Sequence, residues 1–580
     1  MSDLLNSASL VMIPSGYKED TVYSVVPSDG SGDLSFTRAS NGTRVNSAGL
    51  VEVVAWNLVQ YSEDFSNGVW TTTSTTITAD NTTAPNGTAT ADKVEISSST
   101  NAIVQQIINS NLITGGLPCT FSVYIKSVSG TGNVGIRSGQ TGLSSVFSYT
   151  NQWQRFEWTF NAYALSEIMQ FCNNTLVGGA DSAPSFYAWG AQLNIGSTAK
   201  PYFPTTDRLN VPRLTYQNGG GGCPSLLLEK QSTNLVTYSE QFDNADWTKS
   251  EVTISANSTT SPDGTQNADA AIESTTANSY HRVLPTNPFS GTGGAYYSFT
   301  TYVKKKGTTR HIYWMCQNSN DAIFAHFDMT NFTVNQVSSN GNGSNASASI
   351  IAVGNDWYRI TLSGIVSTVS TNYYNQFYFE NSVNTGFNPS PYTGDGVSGF
   401  YLWGWQIEQS SYPTSYIPTT SSSATRVKDL AYKSGATALI GQTEGVLFCD
   451  FNLPSVETSG DYPFIVNIWG NSTNRFGFAR YPNGGVHIYM IASTSQFTYN
   501  TTQLTGRFKL ALGYKANDCV IYLNGTLLQT ITSATIPATD DIIFNGINTS
   551  GDYNTQLQIN QTVLFKTRLT NAELASLTTI

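Results

Sequence analysis

Two stretches of this chain, 177 residues apart, have nearly the same sequence. Residues 57–70 return as 234–247, and residues 85–92 return as 262–269 without any change in register. A solenoid repeat is only about 20 to 50 residues long, so this longer period predicts two tandem domains, each with its own core. The duplication favours repeated binding modules over one large enzyme.

The correspondence between the copies continues beyond the opening segments. Residues 121–126 match 299–304, residues 153–156 match 357–360, and residues 186–193 match 400–407. From Tyr124 to Trp153 the distance is 29 residues, whereas Tyr302 to Trp357 spans 55, so the second copy carries 26 extra residues. We place this insertion around residues 338–347, on a loop of the kind that often contacts ligands.

Composition favours an all-β protein with a neutral, hydrogen-bonding surface. Charged residues are only 12% of the chain, while 31 Tyr, 28 Phe and 11 Trp lie among short runs broken by Asn-Gly and Asp-Gly turns. There are 28 basic and 39 acidic residues, giving a net charge of −11, and no basic run occurs. Nucleic acid is therefore excluded as a partner.

The N-terminus has no basic region, and its longest apolar stretch is residues 10–13, so neither a signal peptide nor a membrane span is expected. Synthesis in a host cytoplasm follows. The six cysteines are too scattered for a disulfide framework and are expected to be buried free thiols. No cofactor is expected.

The same N-terminal segment is too apolar for a solvated tail, which is the default for a chain terminus. We expect it to insert into a capsid or tail protein. The virion-anchoring residues of this hypothesis are Leu4, Leu5, Leu10, Val11, Met12 and Ile13. Residues 36–46 contain two arginines and an Asn-Gly turn, and they are interpreted as a hairpin that docks against a partner.

These patterns divide the chain into parts. A third unit has an alternating hairpin at 508–526 and ends in a short helix, with Thr570 as N-cap and Glu573 three residues later. The predicted parts are an N-terminal arm and hairpin (1–56), module 1 (57–206), a connecting collar (207–233), module 2 (234–420), a linker (421–443) and a C-terminal domain (444–580).

The repeated Asn-Leu-Val-x-Tyr-Ser-Glu-x-Phe opening, the Pro-x-Gly-Thr-x-x-Ala-Asp segment and the Phe-Tyr-x-Trp-Gly-x-Gln closing strand resemble carbohydrate-binding-module-type jelly rolls of tailed-phage fibre proteins. Residues 36–46 and 223–235 resemble segments of head and tail fibres of gut phages, including crAss-like phages. The third unit is similar to concanavalin/laminin-G-like sandwiches. The resemblance implies a virion-attached, homotrimeric fibre or decoration protein.

Catalytic and metal-binding patterns are weak. The four histidines, His281, His311, His326 and His487, form no metal-ligand pair, and no Gly-x-Ser-x-Gly elbow occurs. Adjacent acids such as Asp540 and Asp541 are interpreted as solvated loop residues rather than glycosidase carboxylates. Asp92 and its counterpart Asp269 are expected to cap turns. We therefore expect no catalytic residues and no dedicated metal site.

Aromatic side chains are the stronger candidates for ligand contact, because sugar rings stack on Trp and Tyr. Matching tryptophans in the two copies, such as Trp153 and Trp357, are interpreted as core residues. Residues without a counterpart are better ligand candidates. The predicted glycan-binding residues are Trp314, Tyr313 and Trp405 in the second copy and Trp469 in the third unit.

Taken together, the sequence predicts tandem jelly-roll sandwiches, a concanavalin-like sandwich and an N-terminal anchoring arm. The expected function is adhesion of a phage virion, through a head or tail fibre, to host-surface or mucus glycans. A purely structural capsid decoration or spacer is the main alternative, since jelly rolls in virions often serve as spacers. A glycan depolymerase is the remaining alternative.

Overall fold

The computed structural model describes residues 2–109, 116, 118–163, 166–369, 371–453, 462–482, 484–550 and 554–580. The chain is all-β, built from antiparallel sheets. It divides into two compact units, of which one is Ala55–Leu209 and the other combines Met1–Val54 with Asn210–Ile580. The first unit has nearly the extent of predicted module 1.

The N-terminal segment consists of short elements that all belong to the larger unit. They are α1 (Ser2–Leu5), β1 (Leu10–Met12), β2 (Tyr17–Lys18), β3 (Thr21–Val22), β4 (Leu34–Thr37), β5 (Gly42–Val45) and β6 (Val51–Val54). Strands β5 and β6 form a hairpin that turns at residues 46–50, and not at the Asn-Gly signal of residues 41 and 42.

The Ala55–Leu209 unit is a sandwich of two antiparallel sheets. Its strands are β7 (Trp70–Thr73), β8 (Thr75–Thr82), β9 (Ala91–Ile96), β10 (Ile103–Asn109), β11 (Pro118–Ser127), β12 (Gly132–Ser138), β13 (Ser144–Tyr149), β14 (Gln154–Asn161), β15 (Ser166–Cys172) and β16 (Ser185–Ile195). The strand orders are β13-β12-β15-β10-β7 and β14-β11-β16-β9-β8. Alternating apolar residues, including Val104, Phe121 and Phe171, fill the space between the sheets.

In the larger unit, the second copy repeats this plan after a short connecting segment. The strands are β17 (Leu214–Thr215), β18 (Ser225–Leu228), β19 (Ser232–Asn234), β20 (Trp247–Ser250), β21 (Val252–Thr259), β22 (Ala268–Glu273), β23 (His281–Pro285), β24 (Phe289–Gly291), β25 (Tyr296–Lys306), β26 (His311–Asn318), β27 (Asp321–Asp328), β28 (Thr333–Asn340), β29 (Ser344–Gly354), β30 (Trp357–Ile365), β31 (Thr371–Glu380) and β32 (Gly399–Glu408). The sheets have the orders β20-β23-β31-β26-β27-β28 and β21-β22-β32-β25-β30-β29.

The C-terminal sandwich follows two strands that lie in the predicted linker. The first of them, β33 (Ala424–Arg426), pairs with β19 in a separate two-stranded sheet. The remaining elements are β34 (Leu430–Lys433), a 3₁₀ helix (Ala436–Ala438), β35 (Glu444–Leu453), β36 (Phe464–Asn471), β37 (Asn474–Arg480), β38 (Val486–Ala492), β39 (Thr494–Asn500), β40 (Gly506–Lys515), β41 (Cys519–Leu523), β42 (Thr526–Ile531), β43 (Asp541–Phe544), β44 (Leu557–Phe565) and α2 (Asn571–Thr578). The predicted terminal helix is confirmed, with Thr570 and Glu573 forming a capping box.

Both sheets of the C-terminal sandwich include strands from outside residues 444–580, which come from the N-terminus and the collar in one sheet and from the N-terminus and the linker in the other. One has the order β17-β18-β44-β35-β40-β41-β42, with β1 also paired to β44. The other has the order β2-β3-β4-β34-β43-β36-β37-β38-β39. The sandwich is therefore completed by residues that lie hundreds of positions away in sequence, as in the pair Leu10 and Leu564.

This topology corrects the expectation of a virion-anchoring arm. Leu10, Val11 and Met12 are buried in strand β1, while Leu4, Leu5 and Ile13 pack against the same C-terminal core. The segment is apolar because it completes a sheet of its own chain. The prediction of a docking hairpin at residues 36–46 is also wrong, since β4 pairs with β34 and β5 pairs with β6 of the same chain.

The predicted linker and collar meet at a buried ion cluster. Arg38, Arg213 and Arg426 pair there with Glu229 and Asp429, and these side chains are at most 1% exposed. The contacts join the N-terminal segment, the collar at 207–233 and the linker at 421–443. The linker is consequently a fixed structural element of this unit.

Candidate functional site

Three of the four predicted glycan-binding residues are core residues. Trp314, Tyr313 and Trp405 are each 0% exposed. The rings of Trp314 and Trp405 pack edge to face with centroids 5.2 Å apart, and Trp405 meets Trp247 at 5.1 Å. The prediction that these three residues contact a ligand is therefore wrong.

Strand β26 explains this error, because it is covered on both faces. Trp314 points into the sandwich, whereas Tyr313 on the opposite face packs with Phe324 and donates its hydroxyl hydrogen to the backbone oxygen of Phe387. Alternation along a strand separates its two faces but does not indicate which face is exposed to solvent.

Residues that match between the two copies build the scaffold. Asn57 donates from Nδ2 to the backbone oxygens of Ala191 and Phe203, both at 3.0 Å. Its counterpart Asn234 makes the equivalent bonds to Trp405 and Ile417, at 3.0 and 2.9 Å. The repeat therefore preserves internal hydrogen bonds that fix the opening segment against the closing strand.

The matched acids Asp92 and Asp269 also have structural roles. Each carboxylate accepts hydrogen bonds from two backbone N–H groups that are distant in sequence. For Asp92 the donors are Phe65 and Asp80, at 2.7 and 2.9 Å. These bonds connect residues much farther apart than the two ends of the turn that we expected each aspartate to cap. Burial raises the pKa of each carboxyl to about 6.

Within the described residues, no group of three or more His, Cys, Asp or Glu side chains is placed to hold a metal ion.

Trp469 is the one predicted residue that lies at a candidate surface. It belongs to the outer face of the sheet β36-β37-β38-β39, whose inner face carries the core residues Phe478 and Ile488. Strand register aligns Trp469 with Arg475 and Ile491 in one row across this face. Two parallel rows complete the face, namely Asn467, Gly477, Tyr489 and Thr498, and Phe464, Ala479, His487 and Asn500.

A basin of about 510 Å³ lies on this outer face and is the candidate functional site. Its volume falls within the range of about 300 to 1,000 Å³ that is usual for small-molecule sites. Aromatic rings, short apolar side chains and exposed hydroxyl groups line it together. The lining residues are Tyr462, Phe464, Arg475, Ala479, His487, Tyr489, Ile491, Ser495, Thr498 and Ile547.

A stack of rings forms one side of the basin. His487 lies nearly parallel to Tyr489 and to Tyr481, with ring centroids 5.6 and 6.3 Å away. Tyr462 meets His487 edge to face at 5.2 Å and is itself 41% exposed. Because Tyr462 is exposed and packs against His487, its ring offers a flat apolar surface to a ligand.

The stack is held in place by hydrogen bonds beneath it. The Tyr489 hydroxyl donates to Oδ1 of Asn467 at 2.6 Å, and Asn467 donates to the backbone oxygen of Ile547 at 2.6 Å. His487 Nδ1 donates to Oδ1 of Asn500 at 2.6 Å. Burial lowers the pKa of His487 below its usual value of 6.5, so the ring is neutral at pH 7 and keeps Nε2 as an acceptor.

A second cavity, of about 660 Å³, lies in the larger unit beside strands β29 and β30. The sequence placed an inserted loop at 338–347, whereas in the structure this stretch contains the end of β28, a short connection and the start of β29, two strands that belong to different sheets. Asn345 and Ser347 line the cavity, and Asn345 donates to the Tyr296 hydroxyl at 2.8 Å. Many of the cavity's other polar groups, such as Ser415 and Glu229, already bond to one another.

Sequence reasoning identified Trp469, whose ring contacts Arg475 beside the basin, but missed the residues that line the basin. Arg475 and His487 come together through the pairing of β37 with β38, and Tyr462 joins them through its ring contact with His487. The available signal was the aromatic density around residues 462–489, in a chain with little charge.

No helix in the described ranges is both long and apolar enough to cross a membrane.

No protein-family model and no curated protein sequence matches the chain. Among solved structures, the CBM40 of the Ruminococcus gnavus IT-sialidase, bound to alpha2,3 sialyllactose, is 16% identical over 24% of this chain and 84% of its own, with a TM-score of 0.21. The tandem CBM22-1-CBM22-2 domain of Paenibacillus barcinonensis Xyn10C is 12% identical, covering 61% of this chain and 98% of its own, with a TM-score of 0.19. Trypanosoma rangeli sialidase is 11% identical over 98% of this chain and 93% of its own, with a TM-score of 0.22. At such TM-scores, these similarities carry no information on what this chain binds.

Proposed function

We propose that this protein binds glycans, and that the basin on the C-terminal sandwich is the binding surface. The observation that carries the proposal is the ring stack of Tyr462, His487 and Tyr489 beside the exposed hydroxyls of Ser495 and Thr498. Sugar rings present apolar C–H faces that pack on aromatic rings, and hydroxyls that bond to polar side chains. The basin offers both kinds of group within one cavity.

We expect Tyr462→Ala to weaken glycan binding about tenfold, because loss of a stacking ring removes about 1 to 1.5 kcal/mol. An array of host-surface and mucin oligosaccharides would first identify the glycans that bind, and calorimetry would then measure the affinity of each variant for them. Tyr374→Ala is the matched control, since Tyr374 is a 45% exposed tyrosine on module 2, away from the basin. Equal losses in both variants, or no captured glycan, would contradict the proposal.

We further propose that the protein is displayed on a phage virion as a homotrimeric head or tail fibre that adheres to the host without cleaving its glycans. The support is the sequence resemblance of residues 36–46, 57–92 and 234–269 to fibre proteins. Because β1 belongs to the chain's own core, the contact with a capsid or tail protein is expected elsewhere than at residues 4–13.

Detection by mass spectrometry in purified virions, with immunogold labelling at the head or tail, tests this display. Absence from virions would reject it. A virion protein that captures no glycan would favour the spacer alternative. Release of reducing ends from host capsule would instead indicate a depolymerase.

A further inference from the structure

We propose that the basin selects glycans that carry a carboxylate, with Arg475 as the residue that recognises it. The inference rests on the proposed glycan-binding function and narrows its ligand class to acidic sugars. Sialic-acid-type sugars and uronic acids share the carboxylate, and both fall within this class.

Arg475 is held against the aromatic floor of the basin. Its guanidinium carbon lies 5.5 Å from the centroid of the Trp469 ring and 6.0 Å from the centroids of Phe464 and Tyr489. Contacts of this kind stabilise the cation and fix the orientation of the planar guanidinium group with its N–H donors. The N–H groups are thereby preorganised before any ligand arrives.

The guanidinium has no counter-ion among the residues that the structure describes. Arg475 forms no ion pair and no hydrogen bond there, and its Nε is buried without an acceptor. Asp541 is aligned with Trp469 on the far side of β36, but its Oδ1 accepts the backbone N–H of Gly435 at 3.1 Å. By contrast, several buried arginines of this unit, such as Arg213 and Arg310, pair with carboxylates.

An unpaired cation on an apolar floor is unusual in a chain with a net charge of −11. The described lining of the basin contains no Asp or Glu, so a ligand anion would meet no repulsion from it. A carboxylate matches the guanidinium fork and can accept two parallel N–H bonds. The rings packed against the guanidinium shield it partly from water, as the buried Nε shows, and so strengthen this interaction, while the Tyr462 ring contacts the sugar.

The test compares a sialylated trisaccharide and a glucuronate-containing oligosaccharide with the same compounds after reduction of the carboxyl to an alcohol. We expect the carboxylated forms to bind more tightly, and Arg475→Gln to weaken their binding about ten- to hundredfold without affecting the reduced forms. Arg475→Lys keeps the charge but loses the fork, so an intermediate loss is expected. Binding of the carboxylated forms should also weaken as salt is added.

Arg507→Gln is the matched control, because Arg507 lies on the same sandwich but is already paired with Asp450 at 2.6 Å. It should leave both classes of ligand unchanged. Equal affinity for carboxylated and reduced glycans, unaltered by Arg475→Gln or Arg475→Lys, would overturn the carboxylate inference while leaving glycan binding intact. Failure of all four compounds to bind would overturn the carboxylate inference, and glycan binding would fall with it if the array also captured no glycan.

Discussion

Asp429→Asn is expected to lower the free energy of unfolding of the larger unit by about 3 to 5 kcal/mol. Asp429 accepts from Arg38 at 3.0 Å and from Arg213, and its Oδ2 also receives the backbone N–H of Glu229 at 2.9 Å. Replacing the carboxylate with a neutral amide leaves three buried guanidinium groups with Glu229 as the one remaining anion of the cluster. A buried charge without its partner is strongly destabilising.

Denaturant unfolding followed by tryptophan fluorescence measures this effect. Asp518→Asn serves as the control, because the Asp518 side chain is 53% exposed beside Arg568 and should contribute at most about 1 kcal/mol. If the two substitutions lowered the free energy of unfolding equally, the buried cluster would not be the contact that fixes the N-terminal segment and the linker to the C-terminal sandwich.

The same cluster predicts how stability depends on pH. Burial alone would raise the pKa of Glu229, but Arg426, Arg213 and the hydrogen bonds from Ser415 outweigh it and lower the pKa to about 2. A carboxyl whose folded pKa lies below its usual value near 4.5 stabilises the fold above that pH. This contribution should be lost as the pH falls from about 4.5 towards 2.

Trp405→Ala is the second substitution with a large expected effect, a loss of about 3 to 5 kcal/mol in the stability of the larger unit. The Trp405 ring contacts Trp247, Trp314 and Phe377 at 5.1, 5.2 and 5.7 Å, so truncation opens a cavity among aromatic neighbours. The first copy has the small residue Ala191 at this position, within a differently packed core.

Thermal and denaturant unfolding would measure the loss, and glycan affinity would be measured on the folded fraction. Because Trp405 lies in the core of module 2 rather than at the basin, that affinity should not change. Trp469→Ala is the converse control, with an expected loss of affinity and little loss of stability, since Trp469 lies on an outer sheet face. Reduced affinity with unchanged stability in Trp405→Ala would restore the original prediction that Trp405 contacts a ligand.

Several features followed from local sequence alone. The all-β class followed from short alternating strands separated by turns, and the capping box at Thr570 and Glu573 followed from spacing within one helical turn. The repeat indicated which residues would be equivalent in the two copies, as the matching bonds of Asn57 and Asn234 illustrate. Each of these features depends on near neighbours or on direct comparison of two segments.

The sequence by itself thus determined the strands, the duplication and the final helix, whereas the tertiary structure decided which side of each strand meets solvent. Leu10–Met12 has the same apolar pattern whether it docks on another protein or pairs with β44 of its own chain. Trp314 and Trp469 both lie in alternating strands, yet one is enclosed between sheets and the other lies on an outer face. Burial depends on what packs against a face, and pairing between residues hundreds of positions apart leaves no local signal in the sequence.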